Sequence, residues 1–451
     1  MTAQDASPRY AADFAERVVF SVARGRAVGA DAEPLRRLAA GLAAAENRRQ
    51  EAGRRFDITI PHTLVIGATS RCNLHCPSCM VRADRSRPPA TLSRPTLARL
   101  LAECSELGIG RVAFVGGEPL LLPRLHDLVA SHPRTLFVVF TNGRAVDSAF
   151  AARWRGTANA AFFVNASAGS SSRPAEAALA RLHRAGLPCG FAATVHAKNT
   201  ETFSDAATYD RLAASGASFA LVLDYLPAIG DAADPLLVPP APRRRVVAAA
   251  RAAARRHRLL VICAPEDEDA LGGCGIAGRS LLHVDPRGAI TPCPFVPLSP
   301  FRFGPHSLLH ALQSSYFRDL REAAPAWDSR PGSCTARKGG ADFLALAARH
   351  QALESPVCAS APLRLCARLS LPPPSPLCQK FGALSRLWDL RPRHARRGIA
   401  TDGAAAEPTG GTEGWAGWLR SAKAVKSSSD WTSAPPKWPP SSARPATTAS
   451  R

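Results

Sequence analysis

The stretch Arg71-Cys72-Asn73-Leu74-His75-Cys76-Pro77-Ser78-Cys79 decides how the rest of the chain is read. Its cysteines stand at spacing C-x3-C-x2-C. Three thiolates so placed can hold three irons of a [4Fe–4S] cube and leave the fourth iron open to a small ligand. Bacterial ferredoxin-type ligation uses C-x2-C-x2-C with a further cysteine and closes every iron, and structural zinc takes paired C-x2-C units or Cys/His sets. Neither pattern matches.

Working outward, Ile60-Pro61 and the apolar run Thr63–Thr69 lead into the cysteines as a strand. Further short β-like runs lie at Arg111–Val115, Leu136–Phe140, Ala161–Asn165, Gly190–Val195 and Phe219–Leu223, most of them separated by helical periodicity such as Pro95–Leu107 and Ala175–Ala185. Six β/α units imply a parallel sheet with right-handed crossovers, which places ligands at the C-terminal ends of its strands. The cysteine loop follows strand one, Gly116-Gly117-Glu118-Pro119 follows strand two and Thr141-Asn142-Gly143 follows strand three. All three therefore converge on one mouth.

In this order the motifs resemble those of the radical S-adenosylmethionine (SAM) enzymes: a C-x3-C-x2-C loop, a GGEP turn and a TNG turn. The resemblance covers roughly residues 58 to 335. It implies an α/β fold, a partial (β/α)6 TIM-like barrel with a small C-terminal β-hairpin/helix module for an auxiliary cluster. It also implies that Cys72, Cys76 and Cys79 hold a [4Fe–4S] cluster, that His75 is a spacer, and that the open iron is chelated by the amino and carboxylate groups of SAM. One electron from a reductant such as a flavodoxin or ferredoxin would then cleave SAM, and the 5′-deoxyadenosyl radical would take hydrogen from a peptide or small-metabolite substrate. Gly116 and Gly117 would let the backbone approach a ligand closely, Glu118 would offer acceptors to the SAM ammonium, and Asn142 would address its ribose or carboxylate.

Some positions depart from the family. Where relatives carry an aromatic residue beside the third cysteine, this chain has Ser78 and Met80, which leaves Met80 to pack on adenine. After strand four it reads Asn165-Ala166-Ser167-Ala168-Gly169, without the acidic residue of the family's Ser-x-Glu/Asp-Gly run. Thr194 and Asn199 resemble the T-x4-N ending of strand five, so Asn199 joins the cofactor-binding candidates.

A second constellation comprises Cys274, His283-Val284-Asp285-Pro286-Arg287-Gly288, Pro292-Cys293-Pro294-Phe295 and Cys334. Its C-x13-G-x4-C spacing resembles the start of the SPASM/twitch extensions, although the downstream C-x2-C of a full SPASM domain is missing. Cys274, Cys293 and Cys334 are thus candidate ligands of a second iron–sulfur cluster; as buried thiols they would serve equally as small hydrophobes. Cys104, Cys189 and Cys263 fall on helix or strand patterns and read as core, whereas Cys358, Cys366 and Cys378 are irregularly spaced among prolines. The expected organisation is an N-terminal helical segment over 1–57 packed outside the barrel, the core over 58–260, the extension over 261–340, a helical or linker stretch over 341–371 and a Pro/Ser/Thr-rich disordered tail over 372–451. Between strand six and a helix ending at Arg258, Asp231–Arg245 reads as a proline-rich crossing loop.

The formal net charge is +21, and the segment from Lys380 onward holds 12 basic against 5 acidic residues. The remaining arginines are scattered among alanines, as solvated helix faces are, so nucleic acid is disfavoured as a partner. The first 20 residues lack the apolar core of a signal peptide, and no run reaches the roughly 18 apolar residues of a membrane span. An open cluster also needs a reducing compartment, so a cytoplasmic setting is expected. The rival readings are an iron–sulfur electron-transfer protein without SAM chemistry and a zinc-binding scaffold. Neither needs a carboxylate closing a glycine pair.

Overall fold

The computed structural model describes residues 33–76, 78–79, 88–167, 172–226, 234–267, 274–328 and 334–352. Met80, Ala168, Gly169, Cys358, Cys366, Cys378 and the 372–451 segment lie outside the described residues. Helix α1 (Glu33–Phe56) precedes an alternating series. In chain order it runs β1 (Thr63–Thr69), α2 (Arg94–Leu107), β2 (Arg111–Gly116), α3 (Leu125–Ala130), β3 (Leu136–Thr141), α4 (Ser148–Trp154), β4 (Ala160–Asn165), α5 (Arg173–Arg184) and β5 (Cys189–Val195). It continues with α6 (Thr200–Ser204), α7 (Ala206–Ala214), β6 (Phe219–Asp224), α8 (Pro240–His257) and β7 (Leu260–Ala264). The strands form one sheet in the order β7-β6-β5-β4-β3-β2-β1, every neighbouring pair parallel, so sequential strands are spatial neighbours.

The alternation of side chains across each strand divides the core in two. Leu64, Ile66, Val112, Phe114, Phe137, Val139, Phe162 and Val164 face the helical layer, where Leu97, Leu100, Leu101 and Cys104 of α2 meet them. The opposite face carries Leu136, Ala161, Phe163, Ala192 and Phe219, and there Leu38 and Leu42 of α1 join them. Leu136 and Phe219 open their strands, so α1 seals the N-terminal end of the concave face, where burying each leucine contributes about 1.5–3 kcal/mol. Of the N-terminal segment expected to pack outside the barrel, residues 1–32 lie outside the described residues, and α1 packs over the end of the sheet and not only on its helical layer. Gly108 (φ 76) permits the crossing of α1 over the end of α2, because a Cβ there would stand 2.2 Å from Arg49 N.

Two further expectations change. A seventh parallel strand, β7, follows α8 and buries Val261 and Cys263. The expected crossing loop is shorter, because α8 begins at Pro240; proline is tolerated in a first turn, where its missing N–H would have no helical partner. Cys104, Cys189 and Cys263 are buried, as their patterns suggested.

Beyond β7, strand β8 (Leu281–Val284) pairs parallel with β1 on the side away from β2, and β9 (Ile290–Thr291) returns antiparallel to it. The connecting turn is closed by Asp285, whose Oδ1 accepts from Arg287 N at 2.9 Å and from Ala289 N at 2.7 Å. Helices α9 (Leu308–Gln313), α10 (Ser315–Asp328) and α11 (Thr335–Arg349) complete the described chain. The C-terminal hairpin thus extends the barrel's own sheet.

Candidate active site

The cysteine loop leaves β1 through a hydrogen-bonded neck. Ser70 N donates to Ala90 O at 2.9 Å, Ala90 N to Ser70 Oγ at 2.8 Å and Leu92 N to Ala68 O at 2.9 Å, while the Thr69 and Thr91 hydroxyls meet at 2.7 Å. Within the loop, Cys72, Cys76 and Cys79 are half-buried whereas Arg71, Asn73 and His75 are exposed. His75 is therefore turned to solvent, in keeping with a spacer. Among the described residues no three His, Cys, Asp or Glu side chains are gathered as a finished metal cage, and no two cysteines form a disulfide. The donor set still fits an iron–sulfur cluster: three half-buried thiols stand on one loop, and the imidazole between them is exposed.

The glycine pair belongs to this neck. Gly117 N donates to Thr69 O at 2.6 Å and Glu118 N to Arg71 O at 2.8 Å, so the turn after β2 is laced to the first residues of the cysteine loop. A Cβ on Gly116 (φ 123) would stand 2.4 Å from Thr69 O, and one on Gly117 would stand 2.0 Å from Arg71 O. The close approach expected of a ligand is here made by the loop's own backbone.

Glu118 has no exposed surface. Its Oε1 accepts from Leu120 N at 3.0 Å and Thr141 Oγ1 at 2.8 Å, and its Oε2 accepts from Asn142 N at 2.7 Å. Burial pushes this carboxyl above its ordinary range, and the three donors pull it back. The carboxylate therefore joins the turns after β2 and β3, and it shows no face to a ligand ammonium. Asn142 in turn uses both ends of its carboxamide: Oδ1 accepts from Arg144 N at 3.0 Å, while Nδ2 donates to Asn73 Oδ1 at 2.7 Å and lies 3.8 Å from Cys72 Sγ. Three motifs spread over about seventy residues thus form one lattice.

At the ends of β4 and β5, Asn165 Oδ1 accepts from Ser167 N and Oγ at 2.9 and 2.7 Å, and Ser167 Oγ accepts from Thr194 N at 3.0 Å. Asn199 clips the next turn, accepting from His196 N at 2.7 Å and donating to Thr194 O at 3.0 Å. The sequence reading missed a charged group farther round. Asp224 ends β6, and its Oδ2 stands 2.6 Å from Arg243 Nε of α8, whose Nη2 lies 2.8 Å from Glu266 Oε1 beyond β7. Burial raises the Asp224 carboxyl to about 6, against the opposing pull of Arg243. Its sequence signal was a carboxylate closing the apolar run Phe219-Ala220-Leu221-Val222-Leu223.

Of the second cysteine set, Cys293 is buried and Cys274 and Cys334 are half-buried. Burial pushes the Cys293 thiol up, and the nearby Cys334 and Cys274 push it further, so the fold brings all three into one neighbourhood. A cavity of about 620 Å³ opens between the cysteine-loop neck and the β8–β9 turn, where Arg287 Nη2 donates to Pro88 O at 2.6 Å; Thr91, Ser93, Thr96 and Arg302 also line it.

Residues 66–209 match the profile of the radical SAM superfamily. The chain carries a radical SAM domain. This domain takes in the cysteine loop, the glycine turn and Asn142, and it ends before β6. Over 76 residues it is 41% identical to PqqA peptide cyclase of Streptomyces rochei, covering 17% of this chain and 21% of that protein. Over 87 residues it is 41% identical to GTP 3′,8-cyclase of Mycolicibacterium smegmatis, covering 18% and 24%. The chain thus spans about a fifth to a quarter of the length of these curated relatives. In fold it is similar to Streptococcus suis SuiB bound to precursor peptide SuiA, with a TM-score of 0.52 and 15% identity over 65% of this chain and 74% of that one.

Proposed function

We propose that this chain is a radical SAM enzyme in which Cys72, Cys76 and Cys79 hold a [4Fe–4S] cluster beside a mouth that takes SAM. The observation that carries the reading is the lattice joining cysteine loop, glycine turn and Asn142 at the C-terminal ends of β1, β2 and β3. When bound, cluster and SAM supply a one-electron cleavage whose radical product takes hydrogen from a substrate carbon. The protein's own residues have the tasks of fixing the thiolates, shaping the mouth and shielding it from water. The neck at Ser70 and Ala90 and the laced glycine turn serve the first task.

The substrate we propose is a peptide. The likeness to PqqA peptide cyclase supports this, while the equal identity to GTP 3′,8-cyclase keeps a small metabolite as the second reading. Cys274, Cys293 and Cys334 are proposed to hold a second cluster, supported by their shared neighbourhood. An acidic flavodoxin or ferredoxin suits a chain of net charge +21 as electron donor, and a reducing cytoplasm suits an open cluster. Among the described residues no helix is long and apolar enough to cross a membrane.

The test is anaerobic reconstitution followed by iron and sulfide counting and an assay for 5′-deoxyadenosine with SAM and dithionite. The expected result is release of 5′-deoxyadenosine that Cys76→Ala abolishes. An intact cluster that releases none in the presence of SAM would turn the reading to an electron-transfer protein, and zinc in place of iron would turn it to a scaffold. Replacing Cys72, Cys76 and Cys79 together by Ala should leave about four irons per chain if the second cluster exists.

A further inference from the structure

Asn142 stands where the turn after β3 meets the cysteine loop, and its orientation is fixed from four directions. Its backbone N–H is held by the buried Glu118 carboxylate at 2.7 Å. Its Oδ1 accepts a backbone N–H from Arg144 at 3.0 Å, which leaves Nδ2 as the end turned toward the loop. Nδ2 donates to Asn73 Oδ1 at 2.7 Å and lies 3.8 Å from Cys72 Sγ, a sulfur that also accepts from Leu74 N at 3.4 Å. Only 9% of Asn142 is exposed, so little of it remains for a ligand to reach. An N–H aimed at a cluster-ligating sulfur stabilises the more negative, reduced state, and hydrogen bonds to sulfur are among the levers that set a cluster's potential.

We propose that Asn142 is a positioning residue for the cluster: anchored on Glu118, it orients Cys72 through Asn73, directs an N–H at the Cys72 sulfur and so raises the reduction potential, rather than contacting SAM. The proposal rests on the reading that Cys72, Cys76 and Cys79 hold the cluster. Asn142→Asp keeps the shape and replaces the donor facing Cys72 by an anion. Asn73→Ser removes the carbonyl that holds Nδ2 and leaves the turn after β3 untouched.

The experiment is mediated redox titration of the reconstituted full-length chain, followed by electron paramagnetic resonance of the reduced cluster, with SAM binding measured in parallel. Iron content should match wild type in both variants. Asn142→Asp should make one-electron reduction about tenfold less favourable, a potential lower by about 59 mV. Asn73→Ser should shift it in the same direction by less, which keeps the proposal testable should Asn142→Asp fail to fold. Unchanged potentials and spectra in variants with intact clusters would overturn the proposal and leave the cluster reading standing. An unchanged potential with weakened SAM binding would also overturn it, by assigning Asn142 to the ligand. Failure of the wild-type chain to bind any cluster would overturn both.

Discussion

The two sides of the mouth are built on different principles. On the β1–β3 side the connections are neutral or singly charged and dense: backbone laced to backbone at Thr69–Gly117 and Arg71–Glu118, and one carboxylate accepting from three donors of the protein. On the β6–β7 side, Asp224, Arg243 and Glu266 meet across three elements as ion pairs, with side chains still 17–29% exposed. The first arrangement holds short turns in one geometry and tolerates little change in volume. The second is a balance of charge around a carboxyl that burial raises to about 6. A laced wall keeps one geometry, whereas a charged wall shifts with the protonation of its carboxyls.

The largest effect should come from breaking the rigid side at its closest approach. Gly117→Ala places a methyl where Arg71 O already stands, and backbone cannot move aside as a flexible side chain can. Overpacking of this kind costs about 1–3 kcal/mol and sometimes more. Here the strain falls on the stem of the cysteine loop, so reconstituted iron should drop well below the wild-type value alongside the melting temperature. A variant that binds full iron would show that the lacing is incidental.

Glu118→Gln probes the same side more gently. Thr141 Oγ1, Leu120 N and Asn142 N all donate to the carboxylate, so the amide's NH2 would face a donor and one bond would be lost in a fully buried place. Such a loss costs about 1–3 kcal/mol. Chemical denaturation should show it as a lower midpoint at unchanged slope. A midpoint equal to wild type would mean that the lattice contributes no net stability.

How much of this was legible in the sequence differs by region in the same way. Strands β1 to β6 stand within a residue of their sequence-read boundaries, because parallel strands buried on both faces appear as unbroken apolar runs. The three motifs were placed at one mouth by topology alone. The reason for Gly116 and Gly117 was not readable, since a glycine announces a close approach without naming what approaches. Strand β7 escaped because its five residues follow directly on α8 without a turn signal, and the role of Leu38 and Leu42 escaped because an amphipathic helix does not say which face of a sheet it will cover. Asp224, Arg243 and Glu266 are too far apart in sequence for any spacing rule to join them.

The smallest predicted effect tests the charged side through its pH dependence. The folded-state carboxyl of Asp224 sits at about 6, above its ordinary 3.8, so the unfolded chain loses this proton first as pH rises. The contribution of Asp224 to stability is therefore fully present below about pH 4 and is lost as pH climbs through 6, with a slope of at most about 1.4 kcal/mol per pH unit. His62 and His283, both held near 3 by burial, tilt stability the other way, since the unfolded chain takes up their protons below about 6.5. The difference between wild type and Asp224→Asn isolates the one group. Urea denaturation at half-unit steps from pH 4 to 7 should show the variant gaining on wild type as pH rises and levelling off above 6. A constant difference would mean that Arg243 keeps Asp224 ionised throughout, and the β6–β7 wall would then carry a fixed charge in place of a titrating one.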